Sequence, residues 1–122
     1  MTPPVPDDDP VLLTSILNFR TPDMTIRAID AARTAMQGIA GGILVIDNDS
    51  GDGSLERLRE HVAAQGWDAD GRVRVIGSPR NGGFGAGHNI AIAAGLVGGT
   101  RPDFVYLLNS DAFPAPDAIR RL

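Results

Sequence analysis

Residues 43–54 read ILVIDNDSGDGS. Four apolar residues, three of them β-branched, make a short buried strand, and the abrupt change to Asp47, Asn48 and Asp49 ends it at a polar turn. Past the glycines, Leu55, Leu58 and Val62 recur at helical spacing until Gly66 stops the pattern. This order of strand, polar turn and helix recurs on both sides. Upstream, the apolar run from Val11 to Leu17 stops at Asn18, Phe19 and Arg20. Thr21 and Pro22 then open a helix, Thr as its cap and Pro at its first position, with Met24, Ile29, Ala32 and Met36 on one face and Gly38 at its end.

Downstream, Arg72 to Ile76 alternates arginine with apolar residues and reads as a third strand, nearer an edge. Asn81 to Gly87 is expected to be a glycine-rich turn entering a helix that carries Ile90, Ala94 and Val97. Phe104 to Leu108 is expected to be a buried fourth strand ending at Asn109, Ser110 and Asp111. Strands and helices alternating this regularly predict an α/β sandwich with a mostly parallel sheet and right-handed crossovers. Residues 1–10 hold four of the nine prolines and three aspartates, the composition of an irregular tail. Residues 11–122 then form one domain, expected to be cut short at the carboxyl end, because the helix opened by Pro116 has room for only about two turns.

Composition narrows the chemistry. At 122 residues the chain can bury a single core, and 43% hydrophobic with 21% charged residues is ordinary globular usage. No cysteine is present, so disulfides, thiolate metal sites and cysteine nucleophiles are excluded. All eleven basic residues are arginine, which excludes a P-loop lysine, a Schiff-base lysine and the lysine that a response-regulator receiver needs. A net charge of −4 argues against nucleic acid as a partner. The N-terminal residues carry no basic region followed by an apolar core, and no run is long enough to span a bilayer, so the expectation is a cytoplasmic protein or one held at the inner face of the membrane.

Ligands of open parallel sheets bind where the strands end at their carboxyl side. Here those ends bring Asn18, Asp47, Asn81 and Asp111 toward one rim. Carboxylates alone would repel a phosphorylated ligand, whereas a divalent cation, Mg²⁺ or Mn²⁺, takes hard oxygen donors and phosphate together. Asn109 and Asp111 are two residues apart and would face the same side of an extended strand, with Asp111 the stronger ligand. An Asx-type turn is the alternative reading of that triplet. The run from Asp47 fails as an EF-hand, since Asp52 falls where the glycine belongs and Leu58 where the bidentate glutamate belongs. Helix capping by Asp52 or Ser50 is expected there. The glycines at 83 and 85 fail as a dinucleotide fingerprint because His88 occupies the third position. They offer close backbone approach and free amides at a helix start. His61 and His88 have no serine or carboxylate partner at a telling spacing and read as surface or packing residues.

Four segments taken together, Leu17 to Pro22, Val45 to Ser54, Asn81 to Asn89 and Pro102 to Asp111, resemble the amino-terminal half of family 2 glycosyltransferases with the Rossmann-like GT-A fold, most of all the rhamnosyltransferase type. The resemblance implies an inverting enzyme with a nucleotide-diphosphosugar donor, a UDP- or dTDP-sugar. It implies that Phe19 and Asn48 flank the base, that Asp47 supports that loop, that Asn18 belongs to the nucleotide-binding set, and that the segment from Asn81 to Asn89, with Gly83, borders the ribose and diphosphate. Asp111 would match the last carboxylate of the metal motif, with Asn109 in place of its first. The acceptor would be a glycan or a lipid-linked sugar, and the family's general base would lie in a carboxyl-terminal half, leaving this fragment inactive by itself. Two other readings stand beside this one. They are a nucleotidyltransferase-like domain, and a non-catalytic domain that forms homo-oligomers through an exposed sheet edge.

Overall fold

The computed structural model describes residues 10–48, 50–69, 72–78, 83–94 and 101–110. In chain order they form β1 (Val11–Asn18), α1 (Pro22–Ala35), β2 (Ala40–Asp47), α2 (Ser54–Ala64), β3 (Val73–Gly77), α3 (Gly83–Ala94) and β4 (Phe104–Asn109). The four strands are parallel and lie in the order β3-β2-β1-β4. This is the α/β architecture expected from the alternation, with helices on both faces. The irregular tail and the helix expected at Pro116 lie outside the described residues.

Side-chain alternation along β1 divides the core. Leu12 and Ile16 face α1 and α2, where Ala28, Ile29, Ala32, Met36, Leu58 and Val62 meet Ile43, Val45 and Val73. Leu13 faces the other way and packs with Leu44, Ile46 and Ala91 beneath α3. The β1–β2 pair is close at one point. A Cβ on Gly41, whose φ is +131°, would sit 1.8 Å from the Leu12 carbonyl oxygen, so only glycine fits there. Arg72 closes the end of α1 by donating to the carbonyls of Met36 and Ile39 at 2.8 and 2.6 Å.

Strand order fixes where a ligand can enter. The chain winds from β1 through β2 to β3 in one direction, then returns to place β4 on the opposite side of β1. The helices that follow β1 and β3 therefore leave on opposite faces, and a crevice opens between the carboxyl ends of β1 and β4. No helix among the described residues is long and apolar enough to cross a membrane.

Several expectations are corrected. Met24 is 37% exposed, because it is five positions before Ile29 and so lies about 140° round the helix from it. Thr25, Ala28, Ile29, Ala32 and Ala35 form the buried stripe instead. The helix expected after a glycine turn already begins at Gly83, so Gly83, Gly85 and Gly87 are helical. Ala94 is exposed, and Ala91 with His88 carries the buried side of α3; Val97 lies outside the described residues. The fourth strand is not buried either. Phe104, Val105 and Leu107 are 62, 37 and 44% exposed, since among the described residues β4 lies at the edge of the sheet with β1 as its one neighbour.

Candidate functional site

At the carboxyl ends of β1 and β2 the register pairs Asn18 with Asp47, which sets both polar side chains at the same level. Both are buried. Asn18 Nδ2 donates to Asp47 Oδ1 at 2.8 Å, and its Oδ1 accepts from the Thr25 hydroxyl at 2.6 Å. Ser50 completes the carboxylate's coordination by hydrogen bonds, its hydroxyl donating to Oδ1 at 2.6 Å and its N–H to Oδ2 at 3.3 Å. Buried charges persist in proteins where donors replace water in this way. Asp47 is thus a strut that folds the β2–α2 turn back against β1. The same junction is tied by backbone, as Asn48 N–H donates to the Asn18 carbonyl and Ser78 N–H to the Asp47 carbonyl, each at 2.8 Å.

Outside this buried knot stands a shelf. Phe19 is 40% exposed, and the Arg20 guanidinium lies 5.0 Å from its ring centroid. Arg20 has a left-handed backbone, φ 59°, which costs a non-glycine residue about 1–3 kcal/mol. Ser50 holds it there, accepting from Arg20 N at 2.9 Å through its hydroxyl and from Nε at 3.0 Å through its carbonyl. Asp52 accepts from the Ser54 hydroxyl and N–H at the start of α2. The Ser54 hydroxyl bond, helped by the Ser54 N–H and the Arg20 charge, holds the Asp52 carboxyl below its ordinary pKa against the opposing effect of burial. The expected capping by Asp52 or Ser50 is corrected: the N-cap residue of α2 is Gly53, in the left-handed conformation, with no side-chain cap bond, and Asp52 makes only a turn bond to Ser54.

Across the crevice, Leu17 pairs with Asn109, which places the end of β4 level with the end of β1. Asn109 is exposed, and Ser110 is half-buried. Thr21 does not cap α1 with its side chain; its hydroxyl instead donates to Ser110 Oγ at 2.9 Å and lies 3.4 Å from Asn18 Oδ1. The structure thus brings together Asn18, Phe19, Asp47, Asn48 and Asn109 on one rim, with Phe19 and Asn109 open to solvent and the others buried. Asn89 is exposed on α3, and Gly83 begins that helix. Asn81 and Asp111 lie outside the described residues.

For a cation, Asn109 offers a neutral amide oxygen at an exposed strand end, followed two residues later by the Asp111 carboxylate, a hard-oxygen pair that suits Mg²⁺ or Mn²⁺. Asp47 is buried and engaged elsewhere, Oδ1 accepting two hydrogen bonds and Oδ2 one at 3.3 Å. Among the described residues no group of three or more His, Asp or Glu side chains is placed to hold a metal ion.

Sequence spacing missed the hydroxyls. Thr21, Thr25, Ser50 and Ser110 knit the rim, and Ser15 meets His88 through an Oγ to Nδ1 contact of 2.6 Å across 73 residues. The serine partner that spacing did not reveal for His88 is thus present, buried between β1 and α3. Burial holds the His88 pKa below the ordinary histidine value, keeping the ring neutral.

The Glycosyl transferase family 2 model matches residues 19–122. The chain belongs to that family. It is 32% identical over all 122 of its residues to the succinoglycan biosynthesis protein ExoO of Rhizobium meliloti (strain 1021), and it spans 31% of that protein's length. In structure it is similar to the mannosyltransferase PcManGT from Pyrobaculum calidifontis, solved in complex with GDP-Man and Mn²⁺. That likeness has a TM-score of 0.71 at 16% identity and covers 92% of this chain and 31% of the mannosyltransferase. The fold of this family 2 chain is accordingly GT-A-like, as the four sequence segments implied.

Proposed function

We propose that this family 2 chain holds a nucleotide-diphosphosugar donor in the crevice between β1 and β4, for inverting transfer to a glycan or lipid-linked acceptor. The observation that carries the reading is the shared rim, where the exposed Phe19 shelf, next to the buried Asn48, is on the same rim as the exposed end of β4 at Asn109. Phe19 and Asn48 flank a pyrimidine, Asn18 and Asp47 fix their loop, and Asn81, Gly83 and Asn89 border the ribose and diphosphate at the start of α3, where free amides favour an anion. Asn109 and Asp111 hold Mg²⁺ or Mn²⁺. When bound, the cation supplies Lewis-acid stabilisation of the leaving diphosphate. The metal in the mannosyltransferase neighbour supports this part of the reading. Donor binding, rather than deprotonation of the acceptor, is the task assigned to this chain's own residues, in a cytoplasmic setting. Family membership favours glycosyl transfer over nucleotidyl transfer.

Calorimetry of the chain with UDP, dTDP and GDP, with and without Mn²⁺, tests the reading. UDP or dTDP is expected to bind more tightly than GDP and to do so with the metal, and Asp111→Ala is expected to remove the metal-dependent part. A folded wild-type chain that takes up no nucleotide would remove the basis of the site.

A second reading rests on β4. Among the described residues no strand pairs with its outer edge, and the apolar side chains Phe104, Val105 and Leu107 are exposed, with no charged residue in the strand to discourage pairing. Self-association along this edge predicts sedimentation as a dimer that Leu107→Lys returns to monomer; a wild-type monomer at high concentration rejects it.

A further inference from the structure

The last β1–β4 pair is Leu17 with Asn109. Beyond it β1 leads into α1, and Ser110 follows the end of β4. Thr21 carries the connection past that point. Its hydroxyl bridges to Ser110 Oγ at 2.9 Å, joining residues 89 apart in sequence, and it does so in place of the capping bond that a threonine at this position normally makes. On its other side the same oxygen is 3.4 Å from Asn18 Oδ1, and Asn18 is bonded to Asp47. A path of polar contacts therefore runs from Ser110 through Thr21 and Asn18 to Asp47, Ser50 and Arg20, whose guanidinium lies over Phe19.

The two ends of that path have different tasks in the donor reading, on which this inference rests. One end is the shelf for the base. The other is the end of β4 at Asn109 and Ser110, where Asn109 is assigned to the cation that meets the diphosphate. We propose that Thr21 is a positioning residue: its bond to Ser110 sets the distance between the base shelf and the cation-holding end of β4, so that one metal-bound nucleotide engages both at once. A hydroxyl is needed for this and a methyl is not. Thr21 touches neither base nor phosphate in this role; it acts through Ser110 and Asn18.

The consequence is selective. A ligand that spans both ends feels the loss of the tie, and one that rests mainly on the shelf does not. UDP and UMP, each with Mn²⁺, are the two probes, titrated into the full chain by calorimetry. Thr21→Val is expected to weaken UDP about three- to tenfold, the range for one lost hydrogen bond, and to leave UMP within about twofold. Thr21→Ser restores UDP binding. Ser110→Ala reproduces the valine effect, and the double variant is no weaker than either single one, since both remove the same contact. In the ligand-free chain, amide exchange at Asn109 and Ser110 speeds up in Thr21→Val while the β1–β2 amides keep their rates.

Equal weakening of UDP and UMP, or unchanged UDP binding in both single variants, overturns the positioning role and leaves the donor reading standing. Failure of Thr21→Ser to rescue also overturns it. A wild-type chain that binds neither UDP nor UMP overturns the donor reading and this inference together. Should Thr21→Val fail to fold by circular dichroism, Ser110→Ala, at a half-buried position just past β4, decides the question by the same comparison of UDP with UMP.

Discussion

Replacing Asp47 by asparagine changes one atom of the buried knot and tests whether this carboxylate is a strut or a ligand. In the wild type Oδ1 accepts from Asn18 Nδ2 and the Ser50 hydroxyl, at 2.8 and 2.6 Å, while Oδ2 accepts from Ser50 N–H at 3.3 Å. An asparagine placed with its oxygen toward Asn18 keeps two of these as neutral bonds and turns an NH₂ toward the Ser50 N–H. Losing charge assistance costs about 1 kcal/mol for each retained bond, and two buried donors facing each other cost about 1–3 kcal/mol more. Turning the amide round only moves the conflict to Asn18 and Ser50 Oγ. The expected destabilisation is about 3–5 kcal/mol, a large part of the roughly 5–15 kcal/mol that holds a domain together. Urea denaturation followed by circular dichroism at neutral pH measures it, with an unchanged slope required for the comparison. Ordinary stability in Asp47→Asn, below about 1 kcal/mol of loss, joined to loss of Mn²⁺-dependent nucleotide binding, would refute the strut and make Asp47 a ligand.

Three other outcomes follow from the packing. The neutral, buried His88 contributes stability that is fully present above the ordinary histidine pKa of about 6.5 and is lost as pH falls through that value toward the lower folded one, because only the unfolded chain takes up the proton. Urea midpoints should therefore drop for the wild type between about pH 7.5 and 5.5 and drop less in His88→Gln; parallel profiles would discount His88. Gly41→Ala forces a Cβ onto the Leu12 carbonyl, 1.8 Å away, and should yield insoluble or unfolded protein, so a soluble variant with native circular dichroism would contradict the β1–β2 register. Arg72→Ala removes two donors from the end of α1 and should cost about 1.5–3 kcal/mol in the same urea assay, with a loss near zero marking those bonds as idle.

The strand ends were legible because polarity changes sharply there. Asn18 and Asp47 end apolar runs, and the alternating arginines about Val73 and Val75 mark β3 as the edge strand it is. Burial of β4 was not legible, since an apolar run such as FVYLL carries no sign of how many neighbours its strand will have. The start of α3 was hidden by glycine, whose poor helix propensity argues for a turn even where the helix begins at Gly83. Hydroxyls were the largest omission. Ser15 with His88 and Thr21 with Ser110 are joined only by the fold, across 73 and 89 residues, and serine or threonine at a loop mouth is too common to single out. Within the site, Asn81 and Asp111 lie outside the described residues, so the rim is drawn from Asn18, Phe19, Asp47, Asn48 and Asn109.

Strand order also dictates timing during synthesis. β2 reaches β1 early, but the opposite flank of β1 waits for β4, and the bond from Val11 N–H to the Asp103 carboxylate spans 92 residues. At translation speeds of about 5–20 residues per second, a nascent chain leaving the ribosome keeps that flank bare for about 5 to 20 seconds. Among the described elements the crevice is thus the last to close, and the half-built sheet exposes an open strand that invites wrong partners or a chaperone before any nucleotide has a place to sit.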